Sequence, residues 1–284
     1  MADGLSKETT KKGRLQRVCL DLLREHESDG ALPTSIRFLF YELLDRGVIP
    51  KVYRKRDGTE RKRTPAQDIS DAVNVLRETG LVPWSWIVDE TRTLQDWRYA
   101  GSVYQYVEDT LALARIDLWD GEPPPLVLCE SRSLVGALRN IARDYLCPIA
   151  AANGQAGGFL HTEIAPLVAG GRRVLYLGDL DLSGGHIEEN TRRVLSSYGD
   201  LIWEKVAITT AHVQKHSLPA VSKYDYRFKP PRAFGVVETE ALGQRRIRSL
   251  LTSKLEEAAP EPLSEVLERE GRQRAAVREL LGGA

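Results

Sequence analysis

The chain has 284 residues, enough for two domains, and its composition of 42% hydrophobic and 28% charged residues excludes an intrinsically disordered protein. The 40 Lys and Arg residues balance the 40 Asp and Glu residues, so any attraction to nucleic acid must be local. The three cysteines lack metal-site spacing, which predicts reduced thiols in a cytoplasmic protein. The amino terminus has no apolar signal core and no apolar run reaches membrane-spanning length, so we expect a soluble protein with no membrane partner.

Three short helices are predicted in the first part of the chain. Apolar residues at helical spacing mark 14–26, and the segments 33–46 and 65–79 each begin with residues typical of helix starts and stop at a Gly. Between the second and third helices, an Asp-Gly dipeptide flanked by basic residues indicates a hairpin. The segment 81–93 then predicts a short strand or wing. This is the outline of a winged helix-turn-helix, and we assign residues 1–120 to such a DNA-binding domain.

The second part of the chain alternates strands with helices. A helix predicted at 99–120 is followed by three consecutive prolines, which mark a domain boundary. The predicted strands are 126–129, 148–153, 174–177 and 205–209, with helices at 134–145, 161–168 and 186–195 between them. This repeat predicts a mostly parallel sheet with helices on both faces. We assign residues 121–284 to this α/β domain, whose tail from residue 241 onward is predicted to be helical.

Acidic residues follow two of the predicted strands. The apolar run 174–177 ends at Gly178, and Asp179 and Asp181 follow two positions apart, so on an extended backbone their carboxylates project to the same side. Glu130 directly follows the first strand of this half. Because the carboxyl ends of parallel strands meet at one edge of a sheet, the three acids can converge. Like charges held this close favour a shared cation, and their oxygen atoms suit Mg²⁺.

These acids also have ordinary structural interpretations. Asp179 and Asp181 could form a solvated turn without metal, and Glu130 could cap the helix that follows it. Two further acids, Glu238 and Glu240, end another predicted strand. They could join the acidic cluster or face solvent, and the sequence leaves this open.

A strand-end Glu followed, in one small α/β unit, by a strand-end D-x-D-x-x-G resembles the Toprim domain shared by topoisomerases, primases and some nucleases. In that family the Glu acts in general acid/base catalysis or binds metal, and the two aspartates hold magnesium. The resemblance therefore implies acid/base and metal-binding roles for Glu130, and Mg²⁺ binding by Asp179 and Asp181.

A second motif lies upstream of the acids. The stretch from Arg37 to Tyr41 reads RFLFY and is similar to the R-x-x-[YF]-Y motif of the topoisomerase VI A subunit and of the Spo11 meiotic recombination proteins. There the final tyrosine of a winged-helix domain attacks the DNA backbone. The order of the parts also agrees, and over 33–210 the chain closely resembles the compact topoisomerase VI A-like proteins of bacteria and mobile elements. It departs from the pattern at Phe40, in place of the first tyrosine, and at Leu182, in place of proline.

The resemblance implies a magnesium-dependent DNA-cleaving transesterase, similar to the A subunit of an ATP-hydrolysing type IIB topoisomerase. Tyr41 would be the nucleophile and form a 5′ phosphotyrosyl link, while Arg37, one helical turn earlier on the same face, could contact the phosphate. In the family two protomers pair, one giving the tyrosine and the other the metal site, so a homodimer would cut double-stranded DNA in the nucleoid. Because the chain has no phosphate-binding loop, strand passage would need a separate ATPase (B-type) subunit.

The basic stretch 51–63 is the predicted DNA contact, although it could be a solvated hairpin. It is longer than the corresponding link of a compact helix-turn-helix. The residues assigned to DNA binding are Lys51, Arg54, Lys55, Arg56, Arg61, Lys62 and Arg63.

Two other functions stay open from the sequence. Tyr41 lies among apolar residues and could be an ordinary core aromatic. In that case the protein could be a Toprim nuclease that hydrolyses DNA or RNA without a covalent intermediate. A third interpretation is a non-catalytic DNA-binding protein with a vestigial acidic site. A covalent protein–DNA adduct separates the first function from the second, and metal-dependent cleavage separates both from the third.

Overall fold

The structure is a computed structural model that describes residues 6, 9–88, 97–152, 157–218, 220–225, 230 and 232–282. They form a mixed α/β protein. Its helices are α1 (Lys11–Ser28), α2 (Ile36–Asp45), α3 (Pro65–Glu78), α4 (Val103–Leu111), α5 (Arg132–Asp144), α6 (Gly157–Phe159), α7 (Ala165–Val168), α8 (Leu182–Ser196), α9 (Thr210–His216), α10 (Gln244–Ala258) and α11 (Leu263–Gly282). Its strands are β1 (Leu126–Cys129), β2 (Ile149–Ala151), β3 (Arg172–Leu177), β4 (Leu201–Ala207), β5 (Val221–Asp225) and β6 (Arg232–Val236).

The first three helices begin where the sequence supplies a capping side chain. Thr10, Ser35 and Thr64 each accept a hydrogen bond from the backbone N–H three residues later, which satisfies a donor that the helix itself leaves free. The apolar faces of the three helices meet in one core, to which α2 contributes Leu39 and Tyr41. The sequence predicted all three helices to within a few residues.

The link between α2 and α3 turns back on itself as expected. Arg54 and Glu60 form an isolated antiparallel bridge, and Gly58 between them has a φ of +82°, a backbone conformation that favours glycine. The predicted Asp-Gly turn is therefore confirmed.

The strand predicted after α3 is reduced to a single bridge. Trp84–Trp86 forms a 3₁₀ turn, and the isolated bridge that follows pairs Ile87 with Thr34 in a parallel sense. The end of the predicted segment, 89–93, lies outside the described residues. The helix predicted at 99–120 is also shorter, since α4 covers Val103–Leu111, and none of the residues of this fully described helix is buried.

The sheet of the second part is parallel, in the order β2-β1-β3-β4. Successive side chains of a strand point to opposite faces, and β1 shows this clearly. Val127 and Cys129 pack in a core with α5 and α10, whereas Leu126 and Leu128 pack in a second core with α7 and α8. Helices therefore cover both faces, as the alternating pattern predicted. A separate antiparallel ribbon joins β5 to β6.

Helix α2 connects the two parts. Phe38, from α2, is fully buried in the core that contains β1 and α5. At the start of α10, the side chain of Gln244 donates to the carbonyl oxygens of Ala31, at 2.5 Å, and Pro33, at 2.8 Å. These contacts bring the face of α2 that carries Arg37 towards the carboxyl edge of the sheet. No helix in the described part of the chain has the length and apolar character needed to cross a membrane.

Candidate active site

Two of the predicted acids meet at the carboxyl ends of neighbouring strands. Because Cys129 of β1 is in register with Leu177 of β3, the residues that follow them emerge side by side. Glu130 Oε2 accepts a hydrogen bond from the backbone N–H of Asp179 at 2.7 Å. The structure thus brings together two acids that the sequence separates by 49 positions.

Asp179 is held from the opposite side by Thr239. Its Oδ1 atom accepts from the Thr239 backbone N–H at 2.8 Å and from the Thr239 hydroxyl at 2.9 Å. Its Oδ2 atom lies 3.8 Å from Arg37 Nη2, and the side chain is 16% exposed. One carboxylate oxygen is therefore used for support, while the other faces the α2 arginine.

Asp181 has a structural role that the sequence analysis did not assign. It is the N-cap of α8, where its Oδ1 accepts a hydrogen bond from the backbone N–H of Gly184. Gly184 suits this turn because an added Cβ would lie 2.7 Å from the Asp179 carbonyl oxygen. Asp181 is still close enough for its charge to contribute to the raised pKa of Glu130, after the larger effects of burial and of Asp179.

Arg37 and Tyr41 reach the acidic edge from one face of α2, as their spacing predicted. The Arg37 guanidinium donates from Nη2 to Glu238 Oε2 at 2.9 Å, and its Nε lies 3.2 Å from Glu240 Oε1. The Tyr41 hydroxyl donates to the same Oε2 atom of Glu238. The motif of the first part and the acids of the second therefore form one connected cluster.

The sequence left open whether Glu238 and Glu240 join the acidic cluster or face solvent. In the structure both side chains face the cluster. Leu180 and Val237 form an isolated antiparallel bridge, with N–O distances of 2.9 and 3.1 Å. The bridge sets the segment directly beside Asp179. A signal was present in the sequence: an acid-x-acid pair follows an apolar run here, just as it does at 179–181.

The two glutamates of this segment differ in environment. Glu240 is fully buried; its Oε1 accepts from Ser131 at 3.2 Å and from Ser133 at 2.8 Å, whereas its Oε2 has no hydrogen-bond partner among the described residues. Burial raises the pKa of Glu240 despite the nearby Arg37 charge. Burial also acts to raise the pKa of Glu238, but the Tyr41 hydrogen bond and Arg37 outweigh it and leave that pKa lowered.

Burial and the nearby acids in turn shift the pKa values of the two α2 side chains, Tyr41 and Arg37. Burial, and then the hydrogen bond to Glu238, raise the pKa of Tyr41 well above its ordinary value. Burial alone would lower the pKa of Arg37, but Glu240, Glu238 and Asp179 together raise it, so the guanidinium stays charged. The resting tyrosine is thus a neutral phenol beside a carboxylate and a permanent cation.

The carboxylates of the cluster are of the ligand type that Mg²⁺ takes. The described residues contain no group of three or more His, Cys, Asp and Glu side chains arranged to hold a metal ion. Mg²⁺ commonly needs only one or two protein carboxylates and completes its shell with water and substrate phosphate. Glu130 has a pKa raised by burial and by the charge of Asp179, a repulsion that a cation would relieve. Glu130 and Asp179 therefore fit a Mg²⁺ site.

The predicted DNA-binding residues fall into three groups. Lys51 lies with its Nζ 5.7 Å from the centre of the Tyr41 ring, so it belongs to the cluster. Arg63 forms ion pairs with Asp68 and Asp71 of α3. The remaining residues, all exposed, are Arg54, Lys55, Arg56, Arg61 and Lys62.

One cation near the acids was missed by the sequence analysis. Lys205, on β4, lies 2.7 Å from Glu188 Oε2 and donates to the Asp179 carbonyl at 3.4 Å. A lone lysine in a strand carries no motif, so only the register of β3 with β4 reveals its position.

Comparisons with known proteins add no relative. A scan against protein-family models and searches of curated proteins and of solved structures find no match for the chain. In the site itself, an arginine and a tyrosine from one helix face a group of carboxylates at the edge of a parallel sheet.

Proposed function

We propose that the protein is a magnesium-dependent DNA-cleaving transesterase of the topoisomerase VI A type. In this proposal residues 1–120 form a winged helix-turn-helix domain and residues 121–284 a Toprim-like domain. One observation carries the proposal: Arg37 and Tyr41 bond to the same carboxylate oxygen of Glu238, and Arg37 also lies 3.8 Å from Asp179. A candidate nucleophile, a phosphate-binding cation and the acidic sheet edge thus share one cluster.

The chemistry assigned to the α2 residues follows from their types. A guanidinium binds phosphate oxygens well, and the Arg37 side chain is 38% exposed, so it can bind a DNA phosphate. The Tyr41 oxygen then bonds to phosphorus as the bond from phosphorus to the 3′ oxygen breaks. The tyrosine loses its proton, the 3′ oxygen gains one, and the product is a 5′ phosphotyrosyl link beside a 3′ hydroxyl.

The carboxylates supply the rest of the site. Glu130 and Asp179 would hold Mg²⁺, with Asp181 as a further acid whose charge acts on Glu130. When bound, the ion neutralises charge on the phosphate. The resemblance also implies an acid/base role for Glu130, in which its carboxyl group exchanges a proton with the 3′ oxygen on cleavage and religation.

Double-stranded DNA is the substrate in this proposal, bound through the exposed cations of the 51–63 hairpin. Cutting both strands would require a homodimer, and full strand passage a separate ATPase subunit. The resemblance implies that the tyrosine and the metal site come from different protomers. In this structure, the contacts join Tyr41 to Glu238 and Arg37 to Asp179 within one chain.

The proposal is tested by trapping the covalent intermediate. Linear double-stranded DNA labelled at its 3′ ends is incubated with the protein and Mg²⁺, quenched with detergent and separated on a denaturing gel. We expect labelled DNA to be attached to the wild type and lost in Tyr41→Phe and Asp179→Ala. Tyr104→Phe is the matched control, because Tyr104 is 48% exposed on α4, outside the cluster. An adduct that survives in Tyr41→Phe overturns the proposal.

One observation favours the nuclease as the second candidate. The Tyr41 ring packs in the helical core with 7% exposure and its hydroxyl is already hydrogen bonded, as expected of a structural tyrosine. In that function, Tyr41→Phe keeps metal-dependent cleavage, and no adduct forms with any variant. The same gel therefore distinguishes the two functions.

A further inference from the structure

The Tyr41 proton already has an acceptor in place. Its hydroxyl donates to Glu238 Oε2, and this oxygen also accepts from Arg37 Nη2 at 2.9 Å. The Glu238 side chain is 19% exposed, so part of it is accessible to solvent. A phenol is a weak nucleophile until a base removes its proton.

We infer that Glu238 is a further catalytic residue, the base that takes the Tyr41 proton as the tyrosine oxygen bonds to phosphorus. This inference rests on the proposed transesterase function. In the step, the O–H bond of Tyr41 breaks and its proton passes to the Glu238 carboxylate. The new oxygen–phosphorus bond replaces the bond from phosphorus to the 3′ oxygen. On religation, Glu238 returns the proton to the leaving tyrosine oxygen.

The other carboxylates of the cluster form hydrogen bonds with groups other than Tyr41. Glu240 Oε1 accepts from Ser131 and Ser133 at the start of α5, and the side chain is fully buried. Asp179 Oδ1 accepts from Thr239. Among the described residues, Glu238 is the acid in hydrogen-bond contact with the Tyr41 hydroxyl.

The charges that face Glu238 keep it in the ionised form that a base needs, and they also make it a weaker base than an isolated carboxylate. Arg37 and Lys51 are the cations that lower its pKa, together with the Tyr41 hydrogen bond and against the effect of burial. A carboxylate with a lowered pKa is ionised at neutral pH. A positioned carboxylate of this kind accepts the hydroxyl proton in other phosphoryl-transfer enzymes.

The backbone fixes Glu238 from both sides. Val237, before it, is paired with Leu180, and Thr239, after it, donates twice to Asp179. The base is therefore tied to the strand-end acids while it contacts the tyrosine of α2. This preorganisation is what a catalytic group needs.

The test measures the rate of adduct formation for wild type, Glu238→Gln and Glu238→Asp. Two DNA substrates are used, one with the normal 3′ oxygen and one with a bridging 3′ sulfur at the cleavage site, a leaving group that needs no proton. We expect Glu238→Gln to lose about 10²–10⁴-fold in rate on both substrates, since the tyrosine must still be deprotonated. Glu238→Asp keeps the negative charge for Arg37 and should recover part of the rate.

The remaining results would each overturn the inference. An unchanged or faster rate for Glu238→Gln would mean that Glu238 is not the base, or that it restrains the tyrosine. A loss on the oxygen substrate that the sulfur substrate rescues would assign Glu238 to the leaving group. If both variants bind DNA more weakly by the same factor as their rate falls, or unfold at the temperature of the assay, Glu238 would have a structural role. No adduct from the wild type on either substrate would overturn the proposed function, and this inference with it.

Discussion

Two acid-x-acid segments meet at this site, and they are built differently. The segment 179–181 follows β3, a buried strand of the parallel sheet, and its acids accept hydrogen bonds from the backbone of Thr239 and Gly184. The segment 238–240 follows β6, which belongs to a separate two-stranded ribbon. Its acids instead contact side chains: Glu238 accepts hydrogen bonds from Arg37 and Tyr41 of α2. Glu240 accepts from two serines at the start of α5 and lies 3.2 Å from Arg37 Nε.

The difference indicates a division of labour. Acids held by backbone donors are rigid and close to the sheet edge, which suits a fixed cation site. Acids that bond side chains from another part of the chain connect that part to the edge. Changes in the first segment should therefore alter the requirement for Mg²⁺, and changes in the second should alter how Arg37 and Tyr41 are used.

Within the segment 179–181, the largest effect is expected for Asp179→Asn, which keeps an oxygen for Thr239 but removes the charge. Adduct formation should fall by about 10²–10³-fold, and half-maximal activity should need more Mg²⁺. The measurement is a Mg²⁺ titration of the cleavage rate. Asp200→Asn is the control, because Asp200 is exposed at the start of β4. If Glu238→Gln raises the Mg²⁺ concentration for half-maximal activity as much as Asp179→Asn does, the two segments do not have separate roles.

The second prediction concerns the stability of the link between the segments and α2. Arg37→Met removes the cation that pairs with the fully buried Glu240 and the nearer cation of Glu238. We expect the free energy of unfolding to fall by about 2 kcal/mol, less than for a fully buried pair because the Arg37 side chain is partly exposed. Urea denaturation measures this value.

A matched arginine controls for the loss of an ion pair in general. Arg46→Met removes the pair with Glu25, in which both side chains are about half exposed, and should cost less than about 1 kcal/mol. Adding Glu240→Gln to Arg37→Met should recover part of the lost stability, since it removes the stranded buried charge. If Arg37→Met and Arg46→Met lower the free energy of unfolding equally, the Arg37 ion pairs contribute no more to stability than a surface ion pair.

The third prediction separates the two acids of 238–240 by pH. The pKa of Glu240 is raised from 4.5 by burial, so its contribution to stability is full below about pH 4.5 and is lost as the pH rises through the folded-state pKa. The pKa of Glu238 is lowered from 4.5, so its contribution is full above about pH 4.5 and is lost as the pH falls through the folded-state pKa.

Opposite pH responses follow for the two variants. Glu240→Gln should flatten the decline of unfolding free energy on the alkaline side of about pH 4.5, and Glu238→Gln should flatten the decline on the acidic side. Denaturant unfolding at a series of pH values measures both. The assignment fails if the two variants change the same side of the profile.

The smallest effect is expected outside both segments, in the basic hairpin. Lys55→Ala should weaken DNA binding several-fold and reduce the salt dependence by about one phosphate contact. Arg63→Ala should change DNA binding less, because Arg63 is already paired with Asp68 and Asp71. Fluorescence anisotropy at several salt concentrations measures both. A larger effect for Arg63 would mean that its ion pairs open when DNA binds.

The sequence by itself determined the local parts of this site. Apolar spacing marked the first helix, residues typical of helix starts marked the next two, and short apolar runs marked β1 and β3. The meeting of Glu130 and Asp179 was predictable because parallel strands end at one sheet edge. The shared face of Arg37 and Tyr41 followed from helical spacing. Each of these results depends on periodicity or on a rule of sheet geometry.

Only the tertiary structure decided how these parts meet. Arg37 and Glu238 are 201 positions apart, and their contact depends on the bridge between Leu180 and Val237 and on the packing of α2 over the sheet. No local pattern encodes such a contact, because the sequence around an acid at a strand end does not differ between an acid that faces solvent and one that contacts a distant side chain. Burial, which sets the pKa directions of Tyr41 and Glu240, likewise appears only once the distant segments enclose them.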